Sequence, residues 1–148
     1  MEGKITRIFN ELGKKAKMCI DNALKNRALT STQNSVLLYI YNEKIDNNKI
    51  VNQIDIEKQF SIKASSVNSI LKLLEIKGFV EKKASQEDKR KNYILITDKA
   101  LEYIKDGKQT LKNVENKIKA GILKEEFEVF KAVLKKMKKN LDGLMQNS

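Results

Sequence analysis

Residues 52–83 read NQIDIEKQFSIKASSVNSILKLLEIKGFVEKK, and the spacing of their apolar side chains decides the fold. Asn52, with Asp55 three residues on, caps a short helix that ends near Phe60 and buries Ile54, Ile56 and, in part, Phe60. Between residues 63 and 77, Val67, Ile70, Leu71 and Leu74 fall within about 100° of one another, whereas Ser65, Asn68, Ser69 and Lys72 point the opposite way. One face of this helix is core; the other is small, polar and basic. Lys63 stands where a cap is expected but cannot accept the first amides, which makes the helix start less secure than the rest. Gly78 follows the last periodic residue, in the left-handed position that suits Gly or Asn. Residues 79–83 and 93–97 then read as two strands joined by the charged, turn-rich segment 85–92, a β-hairpin with a basic tip.

On the N-terminal side, Ile5, Ile8, Leu12, Ala16, Cys19 and Ala23, with Phe9, Ile20 and Leu24 beside them, keep the three- and four-residue steps of one helix over residues 3–26. Thr30 with Gln33 forms a capping box for a second helix over 31–43 that turns Val36, Leu37 and Ile40 inward. Asp46, Asn47 and Asn48 carry turn chemistry, and Lys49, Ile50 and Val51 suffice only for a small strand. On the C-terminal side, Thr97 and Asp98 cap a long helix to about Ala120. Gly121 breaks the pattern, and a last helix runs from Lys124 to about Leu144. Phe127, Phe130, Leu134, Met137, Leu141 and Leu144 form a heptad seam, and Ile104, Leu111, Val114 and Ile118 form a shorter one. Periodicity alone suits packing on the chain's own helices and packing on a second copy equally well. The sequence contains no internal repeat.

The chain has 148 residues, 41% of them hydrophobic, with no Pro and six Gly, which reads as one mostly helical compact domain that buries its own core. Thirty Lys and Arg against 19 Asp and Glu give +11 and point towards an anionic partner. The absence of His removes the usual general base and zinc nitrogen ligand, and the single Cys rules out an internal disulfide. No Gly-rich phosphate loop, carboxylate pair or nucleophile with a base stands out, so the chain is not expected to be an enzyme or to hold a metal or cofactor. The start MEGKITRIF carries no apolar run that suits a signal peptide or membrane span, and the expected location is cytoplasmic.

Two helices, a small strand, a short helix, a turn, a helix with a polar outer face and a hairpin are laid out as in a winged helix-turn-helix, whose second helix enters the major groove. Six segments also resemble the MarR-type transcription regulators: Leu29-Thr30-Ser31-Thr32-Gln33, Asn52-Gln53-Ile54-Asp55-Ile56-Glu57, Ser65-Ser66-Val67-Asn68, Leu74-Glu75-Ile76-Lys77-Gly78-Phe79-Val80, Asp88-Lys89-Arg90 and Leu95-Ile96-Thr97-Asp98-Lys99. They span about residues 29–103. The resemblance implies a homodimer on an inverted-repeat operator, with dimerisation helices in residues 1–28 and 98–148 around a DNA-binding region at 29–97. It further implies regulation, most often repression, released by a small aromatic effector, by oxidation or by a metal. A nucleoid-type protein that binds DNA of any sequence is the alternative, and a helical adaptor that uses its seam on a protein partner is a further one.

Cations at phosphate spacing and groups that reach base edges are what double-stranded DNA requires. Ser65, Asn68, Ser69 and Lys72 offer both on one helix face, and Ser66, nearer its side, suits a phosphate. Arg90 matches the family's wing arginine for the minor groove, with Asp88 ordering the loop and Lys83, Lys89 and Lys91 on the backbone. Met18, Tyr39 and Tyr103 are candidates for an effector pocket between the dimer helices and the winged region, although such residues at helical spacing are more often core. Cys19, ten residues before Leu29, is expected to be a buried, inert thiol rather than a redox sensor.

Overall fold

A computed structural model describes residues 4–25, 27–84 and 92–146. The elements, in order, are α1 (Ile5–Leu24), α2 (Ser31–Asn47), β1 (Val51–Asn52), α3 (Gln53–Phe60), α4 (Ala64–Ile76), β2 (Val80–Ala84), β3 (Asn92–Ile96), α5 (Asp98–Ile118) and α6 (Lys124–Gln146). They fall into two compact units, residues 1–112 and 113–148.

Side-chain caps set the starts of α2 and α3. Thr30 accepts the Gln33 N–H while the Gln33 side chain accepts the Thr30 N–H, and Asn52 and Asp55 repeat the arrangement at the start of α3. At α2 the chain runs one turn beyond expectation, taking in Asp46 and Asn47. Asn48 then adopts the left-handed conformation at φ 48°, and the Lys49 N–H closes on the Glu43 carbonyl at 3.0 Å. Asn tolerates that conformation better than most residues, so the turn chemistry acts one step later than its position suggested. Gly78, at φ 76°, ends α4 with the Phe79 N–H on the Leu74 carbonyl at 2.9 Å.

The three strands form an antiparallel sheet in the order β1-β3-β2. Val51 faces Ile94 across one edge, and Val80 faces Ile96 across the other. The small strand therefore falls at residues 51–52 rather than 49–51, because β3 offers its free edge there. Thr97 pins the sheet to the helices: its hydroxyl donates to the Gly78 carbonyl at 2.7 Å and accepts the Ala100 N–H at 3.2 Å.

The core joins Val36, Leu37 and Ile40 of α2 to Val67, Leu71 and Leu74 of α4, with Ile56, Phe79, Ile94 and Ile104 closing it. Ile54 departs from expectation at 49% exposed, since only Ile56 of α3 points fully inward, and Ile70 is half-buried. In α1 no residue is buried, and Cys19 is exposed instead of buried: within its own unit, the helix's apolar stripe lacks a full cover. In the second unit, the Glu126 carboxylate accepts the Leu123 N–H at 2.8 Å, and Lys119 and Lys131 sit over the Phe127 ring.

Burial pushes the Asp55 carboxyl up, but the Asn52 N–H and the Lys49 ammonium, which donates to it at 3.0 Å, outweigh this and hold it below its usual 3.8. A carboxyl depressed in the folded state stabilises the protein above 3.8 and loses that contribution as the pH falls through its folded value. Urea denaturation should therefore find Asp55→Asn less stable than wild type at neutral pH, with the gap closing as the pH drops below 3.8. Asn52→Ala should cost about 1 kcal/mol, as loss of an N-cap does.

Candidate nucleic-acid interface

The inward turn of Val67, Leu71 and Leu74, none of which is exposed to solvent, fixes what the opposite side of α4 presents. Ser65, Ser66, Asn68, Ser69 and Lys72 are all exposed. Ser65, Ser69, Lys72 and Ile76 form a stripe within about 60°, flanked by Asn68 on one side and Leu73 on the other. The Ser69 hydroxyl donates to the Ser65 carbonyl at 3.0 Å, so its free lone pairs are what it turns outward. No side chain caps α4 at Lys63, as its chemistry foretold, leaving the positive end of the helix dipole open. The Ser66 N–H is engaged by the Lys63 carbonyl at 2.9 Å, so the Ser66 hydroxyl rather than its amide is the group on offer.

Part of the chain's positive charge falls on the same region. Residues 61–97 hold eight Lys or Arg, at 63, 72, 77, 82, 83, 89, 90 and 91, against four acids, whereas residues 30–60 hold three against four. Lys83 is exposed on β2, paired with Tyr93 of β3. Among the described residues, no carboxylate pairs with Lys72, Lys82 or Lys83.

A cleft of about 530 Å³ lies between the end of α1, α2 and α5, and Leu24, Arg27, Leu38, Tyr103 and Leu111 are among its walls. The three sequence candidates do not converge on it. Tyr103 lines it, beneath the Arg27 guanidinium at 3.8 Å from the ring centroid. Tyr39 instead packs edge-on against Phe60 at 5.8 Å, where burial and the Glu43 carboxylate push its hydroxyl above the usual range. Met18 stands 62% exposed on α1. Among the described residues, no group of three or more Cys, Asp or Glu could hold a metal ion, and no helix is long and apolar enough to cross a membrane.

Residues 29–91 match the MarR family. The chain carries a MarR-family domain. It is 29% identical over 94 residues to the uncharacterized HTH-type transcriptional regulator YdgJ of Bacillus subtilis (strain 168), a match covering 64% of this chain and 57% of that protein. In architecture it is similar to S. aureus MepR in a DNA complex, with a TM-score of 0.76 at 24% identity over 92% of this chain and 98% of that one. S. aureus MepR bound to ethidium bromide is similar with a TM-score of 0.73 at 24% identity, over 94% and 97% of the two chains.

The MarR match takes in the hairpin tip, so Lys89, Arg90 and Lys91 belong to it, although all three lie outside the described residues. Sequence reasoning passed over two exposed apolar residues on the MarR domain's α4, Leu73 at 44% and Ile76 at 71%. The 100° rotation per residue places both on the outer side and was the available signal. It also passed over Arg27 and Lys77, whose partners are distant in sequence and leave no periodic trace.

Because Asn68 and Lys72 are exposed, the double variant Asn68→Ala, Lys72→Ala should unfold in urea within about 0.5 kcal/mol of wild type. A larger loss would show that these side chains support the fold.

Proposed function

We propose that the protein is a homodimeric, sequence-specific DNA-binding repressor that acts in the cytoplasm on an inverted-repeat operator and is released by a small aromatic effector. The observation that carries this reading is the exposed outer side of α4 that presents Ser65, Asn68, Ser69 and Lys72, held in place by an apolar inner face, in a MarR-family domain. Ser65, Asn68, Ser69 and Lys72 face base edges in the major groove, and Ser66 takes a phosphate beside the open helix end. Arg90 enters the minor groove, while Lys83, Lys89 and Lys91 neutralise phosphates. Similarity to MepR in its DNA complex supports the mode of binding.

Residues 1–28 and 98–148 serve dimerisation around the DNA-binding region at 29–97. The exposed apolar stripes of α1 (Ile5, Phe9, Leu12) and α6 (Phe130, Leu141, Leu144) support that division, since a second copy removes them from water. The effector enters the cleft walled by Tyr103, and similarity to MepR with bound ethidium supports a ligand that carries rings. DNA binding assigns these residues a role without catalysis or a cofactor.

Selection of fragments from random DNA tests the reading directly: an enriched near-palindrome with half-sites about 10 base pairs apart is expected. Recovery without enrichment would instead identify a nucleoid-type protein that tolerates any sequence. Affinity for the selected site should fall with salt, log K dropping by about 0.9 per phosphate neutralised for each log unit. Arg90→Ala should weaken every site and relax preference mainly in the A·T-rich flanks, whereas Asn68→Ala should alter preference inside each half-site by about 1–3 kcal/mol. Leu134→Asp should yield a monomer in light scattering that no longer retains the operator, and a variant that stays dimeric would remove α6 from the interface.

A further inference from the structure

The loop of residues 27–30, between α1 and α2, is held from two sides. On one side, Arg27 lies over the Tyr103 ring and donates from its guanidinium to the Tyr103 carbonyl of α5, crossing the bare face of Gly107. That contact walls the cleft. On the other side, the Lys77 ammonium donates to the Ala28 carbonyl at 2.8 Å and to the Gln33 Oε1 at 3.0 Å. Gln33 Oε1 also accepts the Thr30 N–H, so one buried amide oxygen serves both the α2 cap and Lys77.

Lys77 is the residue on which α4 ends, and its backbone is fixed as firmly as its side chain. Its carbonyl accepts from the Lys99 ammonium at 2.6 Å, and Lys99 also lies over the Phe79 ring, which packs against Tyr103 at 5.0 Å. The residue that forms the cleft wall is thus one peptide away from the carbonyl that anchors the end of the DNA-facing helix.

We infer that Lys77 is a positioning residue that couples the cleft to α4. With Arg27 seated on Tyr103, Ala28 and Gln33 stand where the Lys77 ammonium reaches both. A molecule that takes Arg27 off Tyr103 frees the loop, Lys77 loses its two acceptors, and the end of α4 shifts away from its DNA-binding position. The inference rests on the proposed reading of the cleft as an effector site and adds the connection from that site to the DNA-binding face.

The test needs no effector, because Gly107→Ala acts in its place. A methyl at residue 107 would stand 2.9 Å from the Arg27 Cζ, and the flexible guanidinium must move aside while alanine favours the helix. DNA affinity is measured by fluorescence anisotropy for wild type, Gly107→Ala, Lys77→Met and the double variant, on a fragment selected by the wild type. Each single substitution should weaken binding about tenfold, the scale of a hydrogen bond to a charged group. The double variant should bind no more weakly than Lys77→Met alone. Lys77→Arg, which keeps the donors and the charge, should restore both affinity and the response to Gly107→Ala. Multiplying losses in the double variant, unchanged affinity in Gly107→Ala, or failure of Lys77→Arg to rescue would each overturn the coupling while wild-type binding stands. A wild type that selects no DNA would overturn the proposed function, and the coupling with it.

Discussion

Val67, Leu71 and Leu74 are completely removed from solvent on one side of a thirteen-residue helix, and the rest of the structure is arranged around that burial. Each such side chain contributes about 1.5–3 kcal/mol by leaving water, far more than any single polar contact on the opposite face. Rotation of α4 by one residue would expose all three, so the helix has a single orientation in the domain. The outer face inherits that orientation: Ser65, Asn68, Ser69 and Lys72 are turned to solvent by the burial of residues on the opposite side of the helix. An exposed face specified in this way can change its polar residues without disturbing the fold, because no packing energy is invested in them.

The caps act on the same principle at the ends of the elements. Asn52 with Asp55 and Thr30 with Gln33 fix where α3 and α2 begin, and Gly78 fixes where α4 stops. Thr97 joins the end of the hairpin to the first turn of α5 through one hydroxyl used both as donor and as acceptor. The turn between α3 and α4 is closed by Ser61 in the left-handed conformation, with the Ile62 N–H on the Glu57 carbonyl at 3.2 Å. These local fixtures leave α3 and α4 little freedom beyond what the core allows.

Most of this was legible in the sequence because its causes are local. Capping pairs lie three residues apart, a helix face repeats every three or four, and Gly78 announces its own backbone angle. Legibility fails where the cause is distant. The register of β1 depends on which edge β3 presents, 43 residues away at the Val51–Ile94 pair, and no local signal separates residues 49–51 from 51–52. Cys19 illustrates a second limit: the stripe it belongs to was correctly periodic, but periodicity says that a face is apolar, not that its own unit covers it. Tyr39 and Tyr103 illustrate a third, since two aromatic residues with similar sequence surroundings end up against Phe60 and under Arg27 through tertiary contacts alone.

The contacts that escaped the sequence are also those that join one part of the domain to another. Lys77 to Ala28 spans 49 residues, Lys77 to Gln33 44, and Arg27 to Tyr103 76. Each uses a long cationic side chain whose head reaches a main-chain carbonyl or the Gln33 amide oxygen. The apolar core closes without such links. Their energy lies in a few charge-assisted hydrogen bonds that a competing acceptor can take over, which a buried Leu–Val contact does not permit. The work is therefore divided: apolar burial sets the orientation of α4, and exchangeable lysine and arginine contacts set how its end is tied to the rest of the domain.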